Sequence, residues 1–247
     1  MIASFRIFVF LGALALITST LKASDVHIRS LPYLIKQPGT YVLDLNLSYN
    51  SETVDAIQIT ASNVRLDFQN HSISYLGTNA NTVSACVESF GNSNVKIVHG
   101  SIVGFMLGVY AGKGANILVD DMNFHYQTMC GVYIGQDPEG SESPNSSVRG
   151  CVVTHTGYAP NGEVVSLTGD AVGLYGEWTA TSNSVSSFPG IAVWPMRAAD
   201  NNVIKNCEVG VQGEPTVIAE GNTIKATEFP YAGGVTVVRG GTVAATH

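Results

Sequence analysis

The sequence predicts an all-β chain wound as a parallel β-helix, and three observations carry that prediction. A short pattern returns about every twenty-two residues. Within each copy, apolar and polar residues alternate with period two. Only 13% of residues are charged while 45% are hydrophobic, too few charges and too much apolar surface for a disordered chain, and no helix-period stripe competes. Repeats of this length, built from short strands and tight turns, cannot bury an apolar face alone and must stack as a solenoid.

The chain begins with what reads as a secretory signal over residues 1–23. Arg6 supplies the positive charge, Ile7 to Ile17 form an apolar run too short to span a bilayer comfortably, and Ala23 offers a small residue at the cut. The competing expectation is an uncleaved N-terminal anchor. With cleavage, the protein is secreted or periplasmic and keeps no stable membrane span. Loss of Arg6 and Lys22 moves the formal charge from −7 to about −9. So acidic a chain is a poor partner for nucleic acid, whose phosphates favour surfaces rich in Lys and Arg.

Residues 24–54 read as an N-terminal cap. A solenoid must blunt its open ends, because an exposed parallel edge recruits other chains. Pro32, Pro38 and the alternating apolar residues between Ser30 and Leu43 suit a covering strand pair.

Residues 55–247 read as the β-helix itself, with three strands per coil and about eight turns. One copy contains Gly108-Val109-Tyr110, Asn116-Ile117-Leu118-Val119, the turn Asp120-Asp121, and Met122-Asn123-Phe124. The copy before it contains Cys86-Val87-Glu88, Asn94-Val95-Lys96-Ile97 and Ser101-Ile102. The one before that contains Ile57-Gln58-Ile59, Asn63-Val64-Arg65-Leu66 and Ser72-Ile73. Alternation points Val109, Ile117, Val119, Met122 and Phe124 inward. The central inward position traces as Ile57, Val87, Val109, Val132, Val172, Ile191, Val211 and Val235, with one long step between Val132 and Val172. Asn70-His71, His99-Gly100, Asp120-Asp121 and Lys205-Asn206 read as the tight turn between second and third strands, where Asx residues tolerate left-handed backbone. Cys151 and Cys207 read as small core residues in the place of Met122. Cys86 and Cys130 fall two coils apart, too distant to bridge.

Two insertions respect this geometry. Gln136 to Asn145, and Thr156 running on to Asp170, are expected to wall the first-strand face around Tyr133, and long loops on a rigid scaffold are where binding residues collect. Gln58, Glu88, Tyr110, Tyr133 and Gly173 read as outward positions of that face, with Trp194 beside them. Tyr110, Tyr133 and Trp194 suit sugar rings, whose C–H faces pack on aromatic systems; the alternative is a ladder that only stabilises neighbouring strands. Lys113 and Arg197 are the nearby cations for a substrate's anionic groups.

Catalytic candidates are Glu88, Asp137, Glu163 and Asp170, together with His125 and His155. The histidines are expected to stand side by side in adjacent coils, where a pair could supply a base near neutral pH. Hydrolysis needs two carboxyls roughly 5–10 Å apart. Proton abstraction beside a uronate needs a base plus a cation for the developing charge. Asp137, Glu139 and Glu142 are spaced as weak Ca²⁺ ligands in a loop, against the simpler reading of solvated acids, and no cofactor is otherwise expected.

The run Leu31-Pro32-Tyr33 through Gln37-Pro38-Gly39-Thr40-Tyr41-Val42-Leu43, followed by Asn63-Val64-Arg65-Leu66-Asp67-Phe68-Gln69-Asn70-His71-Ser72-Ile73, resembles the N-terminal coils of right-handed parallel β-helix proteins of the pectin-lyase-like superfamily. The resemblance covers roughly residues 30 to 240. It implies that fold and a polysaccharide partner, since the superfamily holds pectate and alginate lyases, polygalacturonases, uronan epimerases and phage tailspikes. It implies no catalytic residue. Of the polygalacturonase motifs only Asp120-Asp121 is present, at a tight turn, and neither the Trp-Ile-Asp-His of pectate lyases nor any lyase match to Val193-Trp194-Pro195-Met196-Arg197 is found.

The expected function is therefore glycan binding on the first-strand face. The alternatives are a polysaccharide lyase or glycoside hydrolase acting on a uronan or similar glycan, and a truncated, inactive copy of such a protein. Self-association through an uncapped C-terminal end is a further expectation, because Gly233 to Val238 look like the start of another coil.

Overall fold

Alternation in the sequence becomes alternation in burial: Val64 and Leu66 are buried while Arg65 and Asp67 are not, and Val119, Met122 and Phe124 are buried between half-exposed neighbours. The computed structural model of the chain describes residues 24–77, 84–135, 143–158 and 172–239 except 177, 196, 214 and 226, together with 242–244.

A lone strand β1 (Val26–Ile28) precedes the first coil, which is β2 (Tyr33–Ile35), β3 (Gly39–Leu43) and β4 (Leu47–Tyr49). The second coil is β5 (Ile57–Ile59), β6 (Val64–Asp67) and β7 (Ser72–Tyr75). In the third, β8 (Ala85–Phe90) leads to β9 (Val95–Val103), which turns a corner and serves as both second and third strand. The fourth repeats this with β10 (Leu107–Gly112) and β11 (Leu118–His125). The fifth is β12 (Cys130–Gly135), β13 (Ser146–Arg149) and β14 (Val152–Thr154), and the sixth opens with β15 (Val172–Gly176) and β16 (Trp178–Thr181). Next, β17 (Ser184–Pro195) closes the sixth coil and opens the seventh, followed by β18 (Ala198–Asp200). Then β19 (Val203–Gln212) closes the seventh and opens the eighth, completed by β20 (Ile218–Glu220) and β21 (Thr223–Lys225). The ninth is β22 (Phe229–Ala232), β23 (Thr236–Arg239) and β24 (Val243–Ala244).

All strands belong to one parallel sheet wound on itself, each pairing with its equivalents in the coils before and after, as a parallel β-helix requires. The segment read as a cap carries β1 against β3 and a coil whose three strands pair with the next: Tyr33 with Ile57, Tyr41 with Leu66, Leu47 with Ile73.

The inward column of first strands runs Ile57, Val87, Val109, Val132, Leu174, Val193, Val211 and Tyr231. This corrects the sequence trace at Val172, Ile191 and Val235. Val172 pairs with Cys130 and Ile191, two residues off the column, and Val235 precedes β23. The slip arises because a shift of two residues preserves the alternation, so a period of two leaves the register ambiguous by two.

The turns between second and third strands hold left-handed backbone at Asn70, His99, Asp121, Gly150, Ser182, Asn201 and Gly221. Asn206 is also left-handed, but it lies inside β19, after the third strand. The Lys205-Asn206 assignment is thus one strand too late, and Cys207 pairs with Phe188 rather than filling the place of Met122. All four cysteines are buried and free. Phe68, Phe105 and Phe124 are the bulkiest of the fully buried side chains in a core rich in Ile, Val and Leu. Among the described residues, no helix is long and apolar enough to cross a membrane.

Candidate ligand-binding face

First strands share a six-residue plan, seen in Leu107-Gly108-Val109-Tyr110-Ala111-Gly112 and Cys130-Gly131-Val132-Tyr133-Ile134-Gly135. Its first glycine is needed because coils approach closely there. A Cβ on Gly108 would lie 2.4 Å from the Gly131 carbonyl oxygen and 2.5 Å from the Phe124 ring. Its last glycine leaves room for an aromatic ring: a Cβ on Gly135 would lie 2.2 Å from Cε1 of Tyr133. The apolar residue is core, and the tyrosine points outward.

Stacking this plan aligns Gln58, Glu88, Tyr110, Tyr133, Tyr175 and Trp194, one per coil. The rings touch in sequence. Centroids are 5.4 Å apart for Tyr110–Tyr133, 4.8 Å for Tyr133–Tyr175 and 5.2 Å for Tyr175–Trp194, at tilted or edge-to-face angles. Phe90 closes the lower end 4.7 Å from Tyr110. Beneath the rings runs a second outward row, with Ala85, Leu107, Cys130 and Ile191 buried. Burial pushes the Cys130 thiol up to about 12, so it is an inert apolar filler. Burial, reinforced by Tyr175 and Tyr110, likewise raises Tyr133 to about 12. Its hydroxyl therefore stays protonated at neutral pH.

The sequence placed Gly173 in this column. It is a buried glycine whose carbonyl oxygen would sit 2.8 Å from a Cβ on Gly131, and Tyr175 takes the outward place. Gly173-Leu174-Tyr175 repeats Gly131-Val132-Tyr133 in kind, and that signal identifies Tyr175 once the triplets rather than the valines are aligned.

At the lower end of the ladder a cleft of about 360 Å³ opens. Tyr110 and Tyr133 form one wall, Ala85 and Leu107 the floor, Met106 and Met129 the rim, and Asp55 and Glu88 the polar end. Glu88 Oε2 accepts a hydrogen bond from Gln58 Nε2 at 3.0 Å, and Asp55 Oδ1 accepts one from the Ala85 N–H at 2.6 Å. Burial raises the Glu88 carboxyl above its ordinary range, and the charge of Asp55 and a hydrogen bond shared with it raise it further, against the lowering effect of Gln58. The crowding of a second carboxyl at the same end of the cleft is what adds to the effect of burial on Glu88. Asp55 has no signature in the repeat, because it sits in the turn before β5.

Among the described residues, no Lys, Arg or His lines this cleft. Lys113 is exposed in the turn after β10, and Arg197 is exposed after β17. His125 and His155 lie near each other in adjacent coils, one position out of register. His155 lies two positions after Val153, while His125 directly follows Phe124, its register partner. The His155 ring therefore stacks on Tyr126 at 4.9 Å, and His125 Nδ1 lies 2.6 Å from Thr154 Oγ1. Burial and the nearby His155 lower the His125 pKa, leaving it neutral at physiological pH, at a corner outside the cleft. Asp137, Glu139, Glu142, Glu163 and Asp170 lie outside the described residues. Among the described residues no three His, Cys, Asp or Glu side chains converge to hold a metal ion.

Comparison with protein-family models, with curated proteins and with solved structures finds no match to this chain.

Proposed function

We propose that this protein binds a glycan along its first-strand face, with sugar rings packed on Tyr110, Tyr133, Tyr175 and Trp194. The observation that carries the reading is the register: four aromatic side chains from four successive coils form one continuous strip that ends at a polar cleft. Coil spacing is about 4.8 Å, so the strip presents flat apolar surface in steps suited to an extended chain of rings, while Tyr hydroxyls and the cleft carboxyls meet sugar hydroxyls. The resemblance to the pectin-lyase-like superfamily supports a polysaccharide partner, and the secretory signal reading supports a location where such polymers occur.

Binding is favoured over cleavage by the cleft's chemistry. Glycoside hydrolysis needs carboxyls about 5 Å apart or more, to seat a nucleophile or a water, whereas Asp55 and Glu88 crowd closely enough for Asp55 to raise Glu88. Lyase chemistry on a uronate needs a cation over the carboxylate, and the described residues that line the cleft supply none.

The test is affinity electrophoresis and calorimetry against a panel of neutral, cationic and anionic polysaccharides. Tyr175→Ala and Trp194→Ala are each expected to weaken binding about three- to tenfold while leaving the melting temperature nearly unchanged. A ladder serving only the sheet gives the reverse, lost stability with no affinity to lose. Absence of binding to every polymer in the panel removes the proposal.

A further inference from the structure

We propose that the cleft at the foot of the ladder selects glycans carrying free, protonated amino groups, with Asp55 and Glu88 receiving the ammonium. This inference rests on the glycan-binding reading and names the substrate class of the same face.

Two independent features meet at the cleft. Tyr110 and Tyr133 present ring surface to a sugar and negative π-density to a cation, and Met106, Met129 and Leu107 keep water off the contact. The carboxyls then supply fixed acceptors. Gln58 Nε2 and the Ala85 N–H each hold one carboxylate oxygen, which orients both groups at the end of the cleft. Among the described residues that line the cleft there is no Lys, Arg or His to compete for these acceptors. The same arrangement repels a uronate carboxylate, and a formal charge of −7 adds long-range repulsion against any polyanion. An amino sugar satisfies every part of the site: ring on tyrosine, ammonium on carboxylate.

The raised Glu88 carboxyl provides a readout. An arriving ammonium donates its N–H groups to the carboxylate oxygens and favours the ionised form of Glu88. Lowering the pH through the raised range of Glu88 neutralises that carboxyl, so affinity for the amine falls with acid.

The experiment compares a glucosamine oligomer, its N-acetylated counterpart, an oligogalacturonate of equal length and an oligolysine, using the full chain. The glucosamine oligomer is expected to bind about tenfold more tightly than the acetylated form, and the galacturonate least. In Glu88→Gln and Asp55→Asn that ratio is expected to fall to near one. Calorimetry of the unmodified protein across a pH series is expected to show affinity for the glucosamine oligomer falling with acid while that for the acetylated oligomer holds level, which needs no variant to fold. Equal affinity for the free and acetylated oligomers, or a preference that survives both substitutions, overturns the inference while leaving glycan binding intact. Oligolysine binding as tightly as the amino sugar also overturns it, by showing that the cleft reads ammonium on any chain. Binding of none of the three glycans overturns glycan binding itself.

Discussion

Asparagine serves this chain in two distinct ways. Asn63, Asn94 and Asn116 all adopt left-handed backbone at the turn into second strands, and their exposed amides link coil to coil, Asn94 Nδ2 to Asn63 Oδ1 and Asn116 Nδ2 to Asn94 Oδ1, each at 2.9 Å. Asn183, Asn202 and Asn222 follow the left-handed residue of the next turn and are buried. There, Asn202 Oδ1 accepts from both the backbone N–H and Nδ2 of Asn183 at 3.0 Å, while its own Nδ2 donates to Ala180 O at 3.1 Å and Asn222 Oδ1 at 3.0 Å. The two ladders differ in what a deletion strands. Asn202→Ala leaves buried donors without acceptors and is expected to cost about 3 kcal/mol, whereas exposed Asn94→Ala leaves groups that water satisfies and is expected to cost less than about 1 kcal/mol. Urea denaturation measures both, and equal losses contradict this account. The Asn that heads each second-strand segment was readable from sequence as part of the repeat. Its amide stacking was not, since nothing local says which coil lies above.

At the scale of the element, the first strand owes its shape to two glycines with different neighbours. Ala at position 108 presses on backbone, the Gly131 carbonyl, which cannot yield without moving a neighbouring coil. Ala at position 135 presses on the side chain of Tyr133, which can swing away. Gly108→Ala is therefore expected to lower stability by about 1–3 kcal/mol. Gly135→Ala is expected to leave the melting temperature nearly intact while weakening glycan binding, because the displaced ring breaks the strip. Thermal melts followed by circular dichroism, run beside binding assays, separate the two; matching effects count against the assigned roles. The six-residue plan also explains where the sequence reading went astray. Val172 and Ile191 are apolar and near the expected period, yet they pair with each other two residues off the inward column, and Ile191 packs beneath the rings. The small residue before each inward position, Gly108, Gly131 or Gly173, is the better register mark, because close packing demands it whereas either face accepts a valine.

For the whole molecule, stability is close to a sum over neighbouring coils. Interior coils have a partner on each side; the described ninth coil has one. Val109 and Val132 are fully buried, while Phe229 is 49% and Val238 55% exposed. Hydrogen exchange is therefore expected to be slowest in β10 and β12 and fastest in β22 to β24, with protection falling coil by coil between them. Uniform protection along the chain speaks for a single cooperative unit instead.

Composition, period and alternation by themselves determined that this chain winds into stacked three-strand coils, and which side chains of the early repeats face inward, because these depend on interactions every copy makes with its own kind. The aromatic pair Tyr110 and Tyr133 and the acid Glu88 were legible for the same reason. Only the tertiary structure decided that Tyr175 continues the strip, that His155 meets Tyr126 rather than His125, and that Asp55 in a turn reaches Glu88 thirty-three positions later. Such contacts hang on loop lengths and on two-residue shifts of register. Their energies come from packing between coils, which a local pattern in the sequence does not encode.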